Sequence, residues 1–151
     1  MFTTPLKIAA NPARPDFWFM DAPLSWVDPT GLVITVPPGF RTDLATIPHF
    51  LEAIPDLDIN GRSRRPGALH DWLYGGARWI GKAAADALLY QALLAEGMDV
   101  KGATMIYEGV HLFGQSAWEE DGTESMAGMF RSHDEYLAWL ATGPRLNPAG
   151  A

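Results

Sequence analysis

The sequence predicts an α+β domain: a small antiparallel β-sheet in the N-terminal half, packed on a three- to four-helix layer that contains an antiparallel helix pair. Three observations predict it. Nine of the twelve prolines fall in residues 1–60, where short β-branched runs are separated by turn residues. From Pro66 onward apolar residues recur at helical spacing. The length, 151 residues of which 48% are hydrophobic, suits one domain with a core of its own. The expected division is a β- and loop-rich part over 1–60, a helical part over 66–142 and a loose tail over 143–151.

Each element has a local reason. Phe17 to Met20 is a short aromatic run that reads as a strand. Leu24-Ser-Trp-Val-Asp28 and Leu32-Val-Ile-Thr-Val36 flank a Pro-Thr-Gly turn and read as a hairpin. Pro37-Pro38-Gly39 stops the second strand, and Phe40 to Pro48 continues as an ordered loop. Pro66 suits a first helical position, so a helix is expected from there to Tyr74, ended by Gly75-Gly76. A second helix runs from about Lys82 to Glu96, with Gly97 as its C-cap. A third is expected from about Val100 to Trp118, on the spacing of Ala103, Ile106, Val110 and Phe113. The acidic run from Glu119 to Glu124 reads as an exposed loop, and His133 to Ala141 as a last short helix.

Charge and composition narrow the function. Eighteen acidic against eleven basic residues give a formal charge of −7, which argues against a nucleic-acid partner. The chain has no cysteine, so disulfides, cysteine-ligated zinc and thiol nucleophiles are excluded. No apolar run has the length of a signal peptide or a membrane span, and the expectation is a protein made in the cytoplasm. His49 and His133 read as loop or surface residues.

The stretch that could carry chemistry is Ala68-Leu-His-Asp-Trp-Leu-Tyr74 with Ala85-Asp86 in the next helix. His70 and Tyr74 lie one turn apart on one helix face. A short glycine-containing connection folds the second helix back on the first, which brings Asp86 toward His70. A carboxylate there fixes the imidazole tautomer and raises the basicity of the other nitrogen. The bland alternative is a hydrogen-bond network that staples two helices. A zinc site from His70, His111 and an aspartate is a lesser alternative, because no His-x-x-x-His spacing supports it.

His-Asp-x-x-Tyr on one helix with Ala-Asp on a second resembles the helix pair of secreted, bacterial and parvoviral phospholipases A2. The resemblance implies His70 as the base, Asp86 as its orienting partner and Tyr74 holding Asp86 through its hydroxyl. It implies Ca²⁺ at Asp71, with Asp43 and the Leu44 carbonyl as upstream ligands. The match covers about twenty-five residues, the His70-to-Asp86 interval is shorter than usual there, and no glycine-rich calcium loop is present.

A second resemblance covers more of the chain. Val36-Pro-Pro-Gly-Phe-Arg-Thr-Asp-Leu-Ala-Thr-Ile-Pro48, Ala68 to Tyr74, Ala85-Asp86 and Leu112-Phe-Gly114 together resemble an uncharacterised family of tailed bacteriophages and prophages. It implies a phage protein located in the virion, or in the host cytoplasm before export. Its partners would be other virion proteins or host envelope lipid. Joined to the helix pair, the expected activity is a calcium-dependent hydrolase of the host envelope. The alternatives are a non-enzymatic tail or tail-tip component and a metal-dependent peptidoglycan hydrolase.

Overall fold

The computed structural model describes residues 1–44 and 61–148. The last part of the loop expected up to Pro48, and His49, lie outside them. The strands are β1 (Ile8–Ala10), β2 (Trp18–Met20), β3 (Leu24–Val27), β4 (Val33–Val36) and β5 (Arg41–Thr42). The helices are α1 (Arg64–Gly75), α2 (Lys82–Ala95), α3 (Val100–Phe113), α4 (Gln115–Thr123) and α5 (His133–Ala141), with 3-10 turns at Arg78–Ile80 and Ala127–Met129. The fold is α+β, as the sequence predicts.

The strands form two small antiparallel sheets. One has the order β1-β2-β5, with Ile8 opposite Met20 and Trp18 opposite Thr42. The other is the β3-β4 hairpin, with Leu24 opposite Val36. Its turn is fastened by Asp28, whose Oδ1 accepts from the Thr30 and Leu32 amides at 2.8 and 2.9 Å, while Gly31 supplies a φ of 88°. The N-terminus runs beside β3, with Phe2 bridged to Trp26 and the Thr3 amide donating to the Ser25 carbonyl.

Helices α1 and α2 are antiparallel, since Arg65 meets Glu96 while His70 and Tyr74, later in α1, meet Asp86, earlier in α2. Leu69, Leu73, Ala85, Leu93, Ile106 and Val110 fill the helical core, and Met20, Leu24, Trp26 and Val36 meet it from the strands. Among the described residues no helix is long and apolar enough to cross a membrane.

Three expectations change. Helix α1 begins at Arg64, two residues before Pro66, with Ser63 as N-cap. The helix expected over 100–118 breaks at Gly114, where a Cβ would collide with the Val110 carbonyl and press on the Tyr74 hydroxyl. The acidic run is not a loop: α4 carries it, and Glu124 pairs with Arg41 of β5. Within the expected tail, Asn147 Nδ2 donates to the Gly75 carbonyl at 3.1 Å and Arg145 stacks on Trp79.

Leu69 has no exposed surface, whereas Leu112 is 68% exposed. Leu69→Ala is therefore expected to lower the unfolding free energy by about 2–5 kcal/mol. Leu112→Ala should change it by no more than about 0.5 kcal/mol, both read from urea titrations.

Candidate functional site

Eight consecutive residues, Leu69 to Gly75 of α1 and its C-cap Gly76, organise the site because residues four apart share a helix face. Leu69 and Leu73 enter the core. His70 and Tyr74 turn to Asp86 of α2. Asp71 and Gly75 line an acidic cavity, and Trp72 and Gly76 line an apolar groove. Gly76 has to be glycine, since a Cβ there would overlap the Trp72 indole.

Asp86 is fully buried and ringed by donors. His70 Nε2 lies 2.9 Å and the Tyr74 hydroxyl 2.7 Å from its Oδ1, and Lys82 Nζ lies 2.8 Å from its Oδ2. His111 Nδ1, on the last turn of α3, stands 3.5 Å from the same Oδ2. Burial alone would raise the Asp86 pKa, but the bonds from His70, Lys82 and Tyr74 outweigh it and hold the carboxyl at about 2. Burial lowers the His70 pKa, against the pull of Asp86, so the ring is neutral near pH 7. An ionised carboxylate only accepts, so His70 Nε2 carries the hydrogen and Nδ1 keeps its lone pair. That Nδ1 is buried without a hydrogen-bond partner among the described residues. The Tyr74 hydroxyl is raised by burial and by Asp86, and it stays a donor.

Two cations, Lys82 and Arg78, tie this hub to its surroundings. Lys82 also donates toward the Val110 and His111 carbonyls at 3.4 and 3.2 Å, placing positive charge at the C-terminal end of α3. Arg78 Nη1 bonds the Tyr74 and Trp118 carbonyls, both at 2.7 Å, and its guanidinium lies 3.7 Å from the Trp118 ring centroid.

Beside the hub lies a cavity of about 440 Å³, whose charged lining includes Arg14, Arg41, Asp43, Asp71, Asp121 and Glu124. Asp71 Oδ2 accepts from the Thr42 hydroxyl and, at 3.1 Å, from the Asp43 amide. The Leu44 amide returns to the Thr42 hydroxyl at 3.0 Å, and Leu44 takes a left-handed φ of 64°, a strained conformation for a branched side chain. Burial, then Glu124 and Asp43, push the Asp121 carboxyl up to about 6.

All six residues of the expected site therefore fall in two adjoining groups. His70, Tyr74 and Asp86 form the hub; Asp43, Leu44 and Asp71 form the turn at the cavity. His70 and Asp86 do not line the cavity, although the Asp43 charge acts on the His70 ring. The residues of the zinc alternative also meet, but both imidazoles face Asp86, with Lys82 beside it. Among the described residues no group of three or more His, Asp or Glu side chains is placed to hold a metal ion. Sequence reasoning missed Lys82, whose signal was its position four residues before Asp86. It also missed Asp121, hidden by the misreading of α4 as a loop.

The profile of DUF1353, described as a protein of unknown function, matches residues 18–110, well over half of the chain. The chain belongs to the DUF1353 family. The match holds β2 to β5, the whole of α1 and α2 and most of α3, and so the whole hub and Lys82, but not His111. No curated protein and no solved structure matches the chain.

The hub generates two stability predictions. The unfolded chain binds a proton at an ordinary histidine below about pH 6.5, whereas folded His70, with its lowered pKa, does not. Stability should therefore fall as the pH drops below about 6.5, by at most about 1.4 kcal/mol per pH unit for this proton. His70→Gln should remove that slope in denaturation curves taken across the range. Asp86→Ala strands Lys82, His70 and the Tyr74 hydroxyl, and should cost about 3–5 kcal/mol at pH 7 in the same measurement.

Proposed function

We propose that this DUF1353 protein is a phage- or prophage-encoded hydrolase of ester bonds in the host envelope, with His70 as its general base. The observation that carries the reading is the His70 ring itself. Asp86 fixes its tautomer through Nε2, and Nδ1 is left as a lone-pair nitrogen without a partner among the described residues. A purely structural histidine would be expected to satisfy both nitrogens, because an unpaired buried polar atom costs about 1–3 kcal/mol. The phage assignment rests on the four ordered motifs of the sequence.

In the proposed reaction His70 Nδ1 takes a proton from water as the water oxygen bonds to the ester carbonyl carbon. The carbon–oxygen bond to the leaving alcohol then breaks, and the alkoxide recovers the proton from His70. Asp86 stabilises the imidazolium formed between the two steps, and Tyr74 and Lys82 hold Asp86 in place. Asp43, Asp71 and the Leu44 carbonyl would offer a calcium ion oxygen donors only, which suit Ca²⁺ better than zinc. A bound calcium ion would supply positive charge for the carbonyl oxygen.

A second reading, a non-enzymatic virion component, is favoured by the complete burial of His70 and Asp86. One comparison separates the two. Purified protein is expected to release fatty acid from phospholipid vesicles in calcium and to lose this with a chelator. His70→Ala should lower the rate about a hundredfold or more, and Asp71→Asn should weaken calcium binding in calorimetry. Folded wild-type protein that neither binds calcium nor cleaves lipid would sink the reading. Activity on isolated cell walls alone would transfer it to peptidoglycan.

A further inference from the structure

Arg78 stands in the 3-10 turn between α1 and α2, and only 6% of it is exposed. A guanidinium carries its N–H donors in one plane, and once removed from water each of them needs an acceptor. Nη1 alone fastens the turn, through the Tyr74 and Trp118 carbonyls at 2.7 Å each. The opposite edge of the group is built from Nε–H and the Nη2–H beside it. Neither has a hydrogen-bond partner among the described residues, and Nε is sealed from solvent. No carboxylate among those residues pairs with the guanidinium, and Asp121 acts on it only at longer range.

A lysine ammonium could donate to both carbonyls. What arginine adds is the planar stack on Trp118, 3.7 Å from the ring centroid, and the second edge. The stack covers a face of the guanidinium and leaves the edge open to approach in its own plane. Side-by-side N–H groups in one plane match two oxygens carried by a single atom.

We propose that the Nε–Nη2 edge of Arg78 is a binding site for a singly charged oxyanion on a ligand, a phosphodiester or a carboxylate, held by two parallel hydrogen bonds. Burial lowers the pKa of the guanidinium, but an arginine keeps its charge in a protein, so the edge stays cationic. A single negative charge suits the surroundings best, because the Asp121 carboxyl already acts on the guanidinium. The site does not depend on hydrolysis at His70.

The test follows the Arg78 Nε–H resonance of the full chain while dimethyl phosphate or acetate is added, with chloride at equal ionic strength as the control. At least one of the two anions should shift that resonance saturably and slow its exchange with water. A response to dimethyl phosphate assigns a phosphodiester, and a response to acetate a carboxylate. The Nε–H of Arg131, already bonded to Glu135 at 2.9 Å, should stay in place. Arg78→Lys keeps the charge and lacks the paired edge. It should weaken binding about tenfold or more with the circular dichroism spectrum unchanged. Undiminished affinity in folded Arg78→Lys would overturn the site. If that variant does not fold, the wild-type titration decides: an Nε–H signal that moves no further with either anion than with chloride overturns the proposal and leaves Arg78 a fastener of the turn.

Discussion

A carboxylate without solvent contact, Asp86, sets the terms for the helical half of the molecule. Removing an ion from water costs several kcal/mol even after relaxation, and only close, well-aimed donors offset it. Here the donors come from α1 and from α2 itself, and His111 at the end of α3 stands 3.5 Å from the same carboxylate, so all three helices meet at it. Several local features follow. Gly114 ends α3 where the Tyr74 hydroxyl needs room, and Lys82 bonds the α3 carbonyls as well as the carboxylate. The 3-10 turn at Arg78–Ile80 returns the chain within a few residues, with Arg78 tying the end of α1 to α4.

The β-rich half is attached to this frame by polar links as well as by packing. Thr42 of β5 bonds Asp71 of α1, and Arg41 of the same strand pairs with Glu124 after α4. Both links end in the lining of the acidic cavity, so the cavity is the seam between the two halves. Burial first, and then repulsion from the carboxylates gathered at this seam, make Asp121 hold its proton more tightly than an ordinary aspartate. The turn through Asp43 and Leu44 carries backbone strain at the same place. Backbone strain and like charge therefore meet at one place in the described structure.

Much of this was legible in the sequence where one interaction decides a local outcome. The hairpin follows from β-branched runs around Pro-Thr-Gly, and the meeting of His70 with Asp86 follows from helical spacing plus a short return. Helix ends were read less well. Pro66 marked the start of α1 only approximately, because a proline is tolerated anywhere in a first turn. Gly114 was invisible as a break, since its reason is a contact with Tyr74 forty residues away. With that break missed, the acidic run read as a loop, although Arg41 and Arg78 lie close enough to temper its charge. The two separate sheets were also beyond local reading, because β5 joins β2 across the intervening hairpin.

The segment Leu69 to Gly76 explains why so much of the molecule converges on one helix. Eight residues supply four faces of two residues each, and every face has a different neighbour: core, Asp86, acidic cavity and apolar groove. A one-residue insertion would rotate all four by about 100° at once, since helical residues advance by that angle. No face could be repaired without misplacing the others. The two cavities are consequently not independent surfaces. Phe40 lines the acidic cavity and Trp72 the groove, and their rings meet edge to face at 5.0 Å. Trp72 in turn meets Trp139 at 5.4 Å.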